Sequence, residues 1–443
     1  MISQGKTIAF HTLGCKVNQY ETQALRERFA DRGYTVVPET EGADVCVINT
    51  CTVTSLSDRK SRQFIRRARR LNPDGIVAVI GCYAQMKPRE TAAMPEVDIV
   101  LGSAEKERLP ELVAAFERDG RKRAELRPFG ADFGPRAGVA GMDSRTRAYI
   151  KIQDGCDRRC AYCVIPRARG PARSRPADDI VAEARVLLEN GYKELVLTGV
   201  NAALYGAEAE SASERGVHTI VARLCALEGD FRVRLGSLEP TVIDARYVTR
   251  LFACEKLCPS LHLSVQSGSS RVLAAMRRAY SREDYLELVR TLRSRDPAYG
   301  VGTDIIAGFP GETEEDFNDS LRLLEEVDFS HVHVFRFSAR AGTAAAAMPG
   351  RVPSDVKAAR AEKLLRAGER SAAAFLRRNA GAVRSVLPER TDAETGLVEG
   401  LTENGIRVLF ADEAPPGGGL ASGGFVRVRL TTPEGNGMRG ERL

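Results

Sequence analysis

The sequence predicts an α/β protein in three parts: an N-terminal parallel-sheet unit, a central partial (β/α)6 barrel and a small antiparallel β-barrel at the C-terminus. Three observations carry this. Short apolar runs rich in β-branched residues alternate with helical patterns through most of the chain, which dictates parallel sheets. Glycine and polar residues punctuate the ends of those runs, where a parallel barrel builds its site. Beyond residue 379 the helical period gives way to short strands between glycine-rich turns. The 443 residues suffice for about three domains. The expected limits are 1–120, a linker at 121–145, 146–378 and 379–443.

The chain is 43% hydrophobic and 28% charged, and no apolar run is long enough to span a bilayer. The opening MISQGKTIAFHTLGC lacks the apolar stretch and cleavage-type ending of a secretory leader, so a cytoplasmic location is expected. Ten cysteines in such a chain argue for metal or redox chemistry over disulfides. The net charge is +6, and 54 of the 65 basic residues are arginine. Clustering, not that total, has to carry any nucleic-acid argument.

In the N-terminal part, Lys6–Thr12, Val45–Asn49 and Ile76–Ile80 read as buried strands. Gln19–Arg32 and Asp58–Leu71 have helical spacing, and Gly33 is placed to cap the first. Cys15, Cys51 and Cys82 each fall a few residues beyond one of the strands. Loops at the carboxyl ends of parallel strands share one crevice, so these three are expected to converge on a cluster. Cys46 lies inside its strand and is expected to be core. The second helix carries Arg59, Lys60, Arg62, Arg66, Arg67, Arg69 and Arg70. That row is either a solvated face or a phosphate-contacting one.

Gly120–Arg147 is polar, glycine-rich and without period, as a connection between domains is. Ala148–Ile152 is then a strand that delivers the chain to Cys156, Cys160 and Cys163, a C-x3-C-x2-C triplet. A structural zinc site wants four protein ligands. Three thiolates suit a 4Fe–4S cluster with one iron left free to bind a substrate or cofactor. Downstream, strands are expected at Glu194–Thr198, Arg232–Leu235, His262–Val265, Gly302–Ile306 and His331–Arg336. Helices are expected at Asp178–Asn190, Thr219–Leu227, Val272–Arg277, Arg282–Arg295 and Glu314–Glu326. His262, His331 and His333 sit in strand patterns and are expected to line the barrel or its core; Cys225, Cys254 and Cys258 are expected to be structural. Arg158, Arg159, Arg167, Arg169, Arg173 and Arg175 crowd the cysteine loop and read as a basic rim suited to RNA. A long helix over Ala358–Asn379 precedes strands at Ala382–Pro388, Gly396–Leu401, Gly405–Phe410 and Gly424–Leu430, an OB-like barrel of a kind that often binds RNA.

The cysteine triplet, with Tyr162 before its last member, resembles the signature of radical S-adenosylmethionine enzymes. GTDIIAGFPGETEEDF (302–317), LHLSVQSGSSRVLAAMRRAY (261–280), RLGSLEP (234–240) and HTLGCKVNQYETQ (11–23) resemble the blocks of the methylthiotransferase branch over essentially the whole chain. Within that branch LGCKVNQYET is most similar to the enzymes acting on threonylcarbamoyladenosine in tRNA. The resemblance implies two 4Fe–4S clusters, one on Cys156, Cys160 and Cys163 and an auxiliary one on Cys15, Cys51 and Cys82. The first cleaves S-adenosylmethionine to a 5′-deoxyadenosyl radical that activates C2 of an adenosine beside the anticodon, and the second carries the sulfur. It implies cofactor contacts from Tyr162, Thr198, Gly199, Glu239 and Gln266, a tRNA anticodon stem-loop and an electron donor as partners, no membrane, and a closing TRAM domain. No acid–base residue is expected to be catalytic. The chain departs from the family at Asn201–Gly206 and at Arg336 and Ala339. The alternatives are a methylthiotransferase acting on isopentenyladenosine or a ribosomal protein, and a non-catalytic iron–sulfur RNA-binding or redox-sensing protein.

Overall fold

The computed structural model describes residues 5–104, 106–130, 133, 138–142, 146–209, 215–242, 245–411 and 424–443. The first six strands are β1 (Thr7–Thr12), β2 (Thr35–Val37), β3 (Val45–Thr50), β4 (Ile76–Gly81), β5 (Ile99–Leu101) and β6 (Arg123–Glu125). They form one parallel sheet in the order β2-β1-β3-β4-β5-β6. Alternation in the strands feeds two cores. Ile8, Phe10, Val45, Val47, Ala78 and Ile80 pack with Leu25, Phe29 and Leu112 on one face, while Cys46, Ile48, Val77 and Val79 pack with Ile65, Ala68 and Met94 on the other. Helices α1 (Lys16–Ala30), α2 (Ser55–Leu71), α3 (Cys82–Met86), α4 (Pro88–Ala92) and α5 (Leu109–Asp119) cover the sheet. The end of α1 shows why Gly33 stands where it does. Gly33 takes φ +84°, its N–H bonds Ala30 O at 2.8 Å, and Tyr34 N bonds Phe29 O at 3.1 Å.

Two differences from the sequence reading are physical. Helix α1 starts at Lys16, with Cys15 as its N-cap, and the polar Asn18 of its first turn is buried by tertiary contacts that periodicity does not show. Arg123–Glu125, read as linker, adds the edge strand β6; three polar residues there carry no apolar signal. Residues 131–132, 134–137 and 143–145 of the expected linker lie outside the described residues.

Strands β7 (Arg147–Lys151), β10 (Glu194–Thr198), β11 (Arg232–Leu235), β12 (Ser237–Leu238), β13 (Ser260–Leu263), β14 (Gly300–Ala307) and β15 (His331–Arg336) make the partial barrel. They bond in parallel as β11-β10-β7 and β12-β13-β14-β15, and β12 continues β11 across Gly236, which gives six staves. The short antiparallel pair β8 (Gln153–Asp154) and β9 (Arg173–Ser174) clamps the two ends of the cysteine loop. Helices α6 (Ile165–Arg169), α7 (Ala177–Glu189), α8 (Val217–Cys225), α9 (Ala245–Phe252), α10 (Ser270–Ala275), α11 (Arg282–Arg295), α12 (Glu314–Val327) and α13 (Ala344–Ala347) occur along this part. Helices α11 and α12 open with capping boxes, Ser281/Asp284 and Thr313/Asp316. The 25-residue α14 (Ser354–Arg378) lies along β15, and Gly368 permits the approach because a Cβ there would stand 3.0 Å from Val332 Cβ.

The C-terminal strands β16 (Val383–Thr391), β17 (Val398–Thr402), β18 (Arg407–Phe410), β19 (Val426–Glu434) and β20 (Gly437–Arg442) close a barrel in the order β16-β17-β18-β20-β19. Its pairs are antiparallel except for β18 with β20, the strand that periodicity did not show. The barrel sits on the floor of the central one. Arg232 donates to Ser385 O at 3.1 Å and Leu401 O at 2.8 Å, and Arg234 donates to Glu403 O at 3.1 Å and Thr402 O at 3.0 Å. Glu194 accepts from both guanidiniums, at 2.6 and 2.7 Å. Burial would raise its pKa, but Arg234 and Arg232 outweigh that and hold it well below the usual carboxylate range.

Gly300 marks the tightest point of this seat, since a Cβ would lie 2.2 Å from Asn404 O. Gly300→Ala is expected to destabilise the chain by about 1–3 kcal/mol, read by urea unfolding, and to make the C-terminal barrel easier to release by limited proteolysis.

Candidate metal centres and cofactor pocket

Two cysteine triplets meet at the boundary between the N-terminal sheet and the central barrel. In the sheet, Cys15 follows β1, Cys51 follows β3, and these neighbours flank the point where the strand order reverses, the place where open α/β sheets bind ligands. Cys82 opens α3 directly after β4. Cys51 lies within electrostatic reach of both Cys82 and Cys15. Glycines with positive φ precede two of the three: Gly14 at +99° and Gly81 at +95°. A Cβ on Gly14 would meet Cys51 Cβ at 2.9 Å and Sγ at 3.1 Å, so only glycine lets the two loops close.

Asn18 ties these loops together. Its amide donates to Leu13 O at 2.7 Å and Thr50 O at 3.0 Å, the residues just before the Gly14–Cys15 and Cys51 turns. Thr50 Oγ1 donates to Ile80 O at 2.6 Å and accepts from Tyr83 N at 3.2 Å, which fixes the Cys82 turn to the same frame.

The second triplet lies in the loop after β8. Cys160 and Cys156 are both electrostatic neighbours of Cys163. Burial pushes the Cys163 thiol up to about 12 and raises Cys156 and Cys160 as well. These thiols are therefore neutral in the metal-free chain, and a cation must displace their protons to bind. Helix α6, which follows Cys163, packs against α3, which begins with Cys82.

Arg169, at the end of α6, is the junction. It is 1% exposed, and it donates to Glu21 at 3.0 and 3.1 Å, to Asp154 at 3.0 Å and to Asn18 Oδ1 at 2.5 Å, while Cys82 is among its electrostatic neighbours. Lys151 reaches Glu21 and Asp154, each at 2.7 Å, and Lys106 reaches Glu21 at 2.5 Å and Asn49 Oδ1 at 3.0 Å. Three cations against two carboxylates satisfy one another here, and each half of the set comes from a different part of the chain. Farther along, Arg340 donates to Thr52 at 2.8 Å and Asp58 at 2.7 Å, beside Cys51.

The expected cofactor residues fall into two groups. Glu239 is a buried hub beside the cysteine loop: Arg158 donates to it at 2.9 Å, Asn201 at 2.9 Å, Arg278 at 2.8 Å and Thr241 at 2.8 Å. Asn201 Nδ2 also lies 4.0 Å from Cys156 Sγ. Tyr162 is half-buried with Ala161, Met276 and Phe309, and Arg278 is its electrostatic neighbour. Thr198 and Gly199 end β10; Gly199 leaves room for Gln153, whose Oε1 accepts from Asn201 N at 2.9 Å. Gln266 holds the left-handed φ of +74°, and its backbone bridges Asp304 O and Ile306 N. Sequence reasoning missed Asn201, Arg278 and Arg340 as parts of this frame. The only trace was their place in the glycine-punctuated strand-end segments.

The basic rim needs correction. Arg169, Arg173 and Arg175 are buried, Arg175 against Glu183 and Tyr20 and Arg173 against Asp154 and the Arg169 carbonyl. Arg158 pairs with Glu239, which leaves Arg159 and Arg167 exposed. The α2 row is split too. Arg69 caps four carbonyls and pairs with Asp98, and Arg62 meets Tyr83 and Glu90, whereas Arg59, Lys60, Arg67 and Arg70 face solvent. Cys46 is core, Cys258 is 1% exposed, and Cys225 shares a sulfur hydrogen bond with Cys254.

The comparisons with known proteins now bear on this geometry. Residues 7–102 match a family described as uncharacterized protein family UPF0004, and residues 150–324 match the radical SAM superfamily. The threonylcarbamoyladenosine tRNA methylthiotransferase MtaB of Bacillus subtilis is 39% identical over 91% of this chain and 90% of its own length. That of Thermotoga maritima is 36% identical over 97% and 96%. The chain belongs to the radical S-adenosylmethionine methylthiotransferase family. A tRNA-2-methylthio-N(6)-dimethylallyladenosine synthase of Solibacter usitatus is 35% identical over 99% and 98%. Among solved structures, the radical S-adenosylmethionine methyltransferase TsrM of Kitasatospora setae, with cobalamin and a [4Fe-4S] cluster bound, shares the fold at 16% identity, TM-score 0.55, over 86% of this chain and 80% of that one. Methylthiotransferases of this family carry two 4Fe–4S clusters and use S-adenosylmethionine. The residues present fit those groups. Each triplet offers three thiols, and two buried polar atoms beside the second, Asn201 Oδ1 and Arg278 Nε, have no protein partner. Among the described residues no helix is long and apolar enough to cross a membrane.

The ionic junction sets a pH dependence. Burial would raise Asp154, but Arg169 and Lys151 bring it down to about 2. A carboxyl held below its ordinary value of about 4 stabilises the fold above that pH, and the contribution is lost as pH falls. Asp154→Asn is expected to cost about 3–5 kcal/mol at pH 7. In urea unfolding of the metal-free chain, its deficit against wild type narrows by about 2–3 kcal/mol between about pH 4 and about pH 2.

Proposed function

We propose that this protein is a tRNA methylthiotransferase that converts N6-threonylcarbamoyladenosine at position 37 to its 2-methylthio form. Three relatives of that name match at 36–39% identity over 84–97% of the chain, and this observation carries the substrate. The units of the enzyme are the N-terminal sheet, which β6 extends from the expected 120 to Glu125, the linker onward to 145, 146–378 and 379–443, the last a TRAM domain, and the enzyme works in the cytoplasm, where its tRNA is.

Cys156, Cys160 and Cys163 hold the cluster that binds S-adenosylmethionine, and Cys15, Cys51 and Cys82 hold the auxiliary one. When bound, these groups supply a one-electron cleavage that activates an unreactive C–H bond, and the sulfur to replace it. The chain's own residues position and enclose. Glu239, fixed by Arg158, Asn201, Thr241 and Arg278, presents fixed polar groups beside the cysteine loop. Tyr162, Thr198, Gly199 and Gln266 complete that wall. Arg169 locks the loop of one triplet to the backbone of the other through Asn18. The exposed Arg59, Lys60, Arg67 and Arg70 on α2 contact RNA phosphates, which directs the anticodon stem-loop to the Cys51 side.

Cys15→Ala is expected to hold about four iron atoms per chain rather than about eight. It still forms 5′-deoxyadenosine from S-adenosylmethionine under dithionite but inserts no sulfur; loss of both activities contradicts two separable sites. For the substrate, nucleosides from a deletion strain with no redundant enzyme are analysed by mass spectrometry. The methylthio form of threonylcarbamoyladenosine is expected to vanish while that of isopentenyladenosine stays, and the reverse would assign the other substrate.

A further inference from the structure

The barrel interior holds a polar cluster that the cysteine sites do not use. Strand alternation sorts its members. Leu261, Leu263, Val301, Ile305, Val332 and Val334 pack outward into the helix layer, so His262, Asp304, His331 and His333 face the lumen. Register sets Gly302 beside both His262 and His331, and Asp304 beside His333. Asp304 accepts from His262 Nε2 at 3.0 Å, His333 Nδ1 at 3.1 Å and Ser264 Oγ at 2.6 Å. His262 Nδ1 lies 2.9 Å from His331 Nε2. Gly302 makes the space, because a Cβ there would stand 2.0 Å from the His331 ring. Gln266 of the cofactor wall donates its N–H to Asp304 O at 2.8 Å, so the cluster sits directly beneath that wall.

Lys16 enters the same chamber from the N-terminal sheet. It follows Cys15 and is exposed, and burial of its head group, with Arg147 and Arg234 nearby, lowers its pKa from the ordinary lysine value. Its charged neighbours are Arg147, Arg234, Glu194 and, across the lumen, His331. Glu194 is already shared between Arg232 and Arg234. Lys16 itself has no hydrogen bond or ion pair among the described residues. The cluster thus sets a lysine with no ion-pair partner near three imidazoles and one carboxylate that its own histidines occupy. A ligand with a negative group fits this set, and charge-assisted hydrogen bonds would reward it.

Resting on the substrate reading above, we propose that Lys16, His331 and His333, with Asp304 and His262, form the subsite for the N6 substituent of the substrate adenosine. Lys16 receives the amino-acid carboxylate, and the ring nitrogens left over by the contacts to Asp304, His333 Nε2 among them, accept from the hydroxyl or carbamoyl N–H. An isopentenyl substituent has no polar atom and would leave the lysine and imidazoles unmet, so the subsite also discriminates.

The test uses full-length, reconstituted protein and anticodon stem-loop RNAs with adenosine, isopentenyladenosine or threonylcarbamoyladenosine at position 37, with binding read by fluorescence anisotropy. Wild type is expected to prefer the threonylcarbamoyl loop. In Lys16→Gln and in His333→Gln the affinity ratio of that loop over the unmodified one falls roughly tenfold or more, as the loss of one charge-assisted hydrogen bond requires. His333 is remote in sequence from every cysteine, so it separates subsite loss from damage to the cluster beside Lys16, and iron content checks both. Variants that keep the wild-type ratio, or that weaken all three loops alike, overturn the assignment. A wild type with no preference for the threonylcarbamoyl loop contradicts the substrate reading itself, and is seen before any variant is made.

Discussion

The architecture depends on one buried ionic junction. Arg169 at the end of the cysteine loop, Lys151 and Asp154 from the start of the barrel, and Glu21, Asn18 and Lys106 from the N-terminal part satisfy one another with little exposure. A buried pair contributes little net stability, yet breaking it is costly, so its value lies in fixing geometry. Here it fixes the distance between two sets of thiols. Removing any one partner leaves a desolvated charge between the N-terminal sheet and the barrel, and slack between the two sites.

Glycine and asparagine extend that constraint into the loops. Gly14 and Gly81 adopt backbone conformations that L side chains resist, and each turns the chain directly into a cysteine. Asn18 bonds the carbonyls ahead of two of the cysteine turns and accepts from Arg169 with its remaining oxygen. The backbone that presents one triplet is thereby in hydrogen-bonded contact with the loop that presents the other. Arg340 adds a second tie beside Cys51, from the far side of the barrel.

Much of this was legible in the sequence, and the reason is periodicity. Val45–Asn49, Glu194–Thr198, Arg282–Arg295 and His331–Arg336 announce themselves through burial patterns, and the cysteines through their place after strands. Strand β5 was not legible because three apolar residues are too short to show a period, and β6 and β20 because their residues are of mixed character. The arginines show the deeper limit. Arg167, Arg169, Arg173 and Arg175 look alike in sequence, but three are buried ion-pair partners and one is exposed, a difference set by carboxylates up to about 150 positions away. The histidines were read as barrel lining, which they are, but register alone reveals that three of them gather around Asp304.

The proposed clusters, one on Cys15, Cys51 and Cys82 and one on Cys156, Cys160 and Cys163, would lie in loops that Arg169 ties together. Anomalous diffraction at the iron edge from crystals of the reconstituted protein tests this placement directly. Two iron peaks are expected, one within each triplet. A single peak, or a second one away from the N-terminal cysteines, would contradict it.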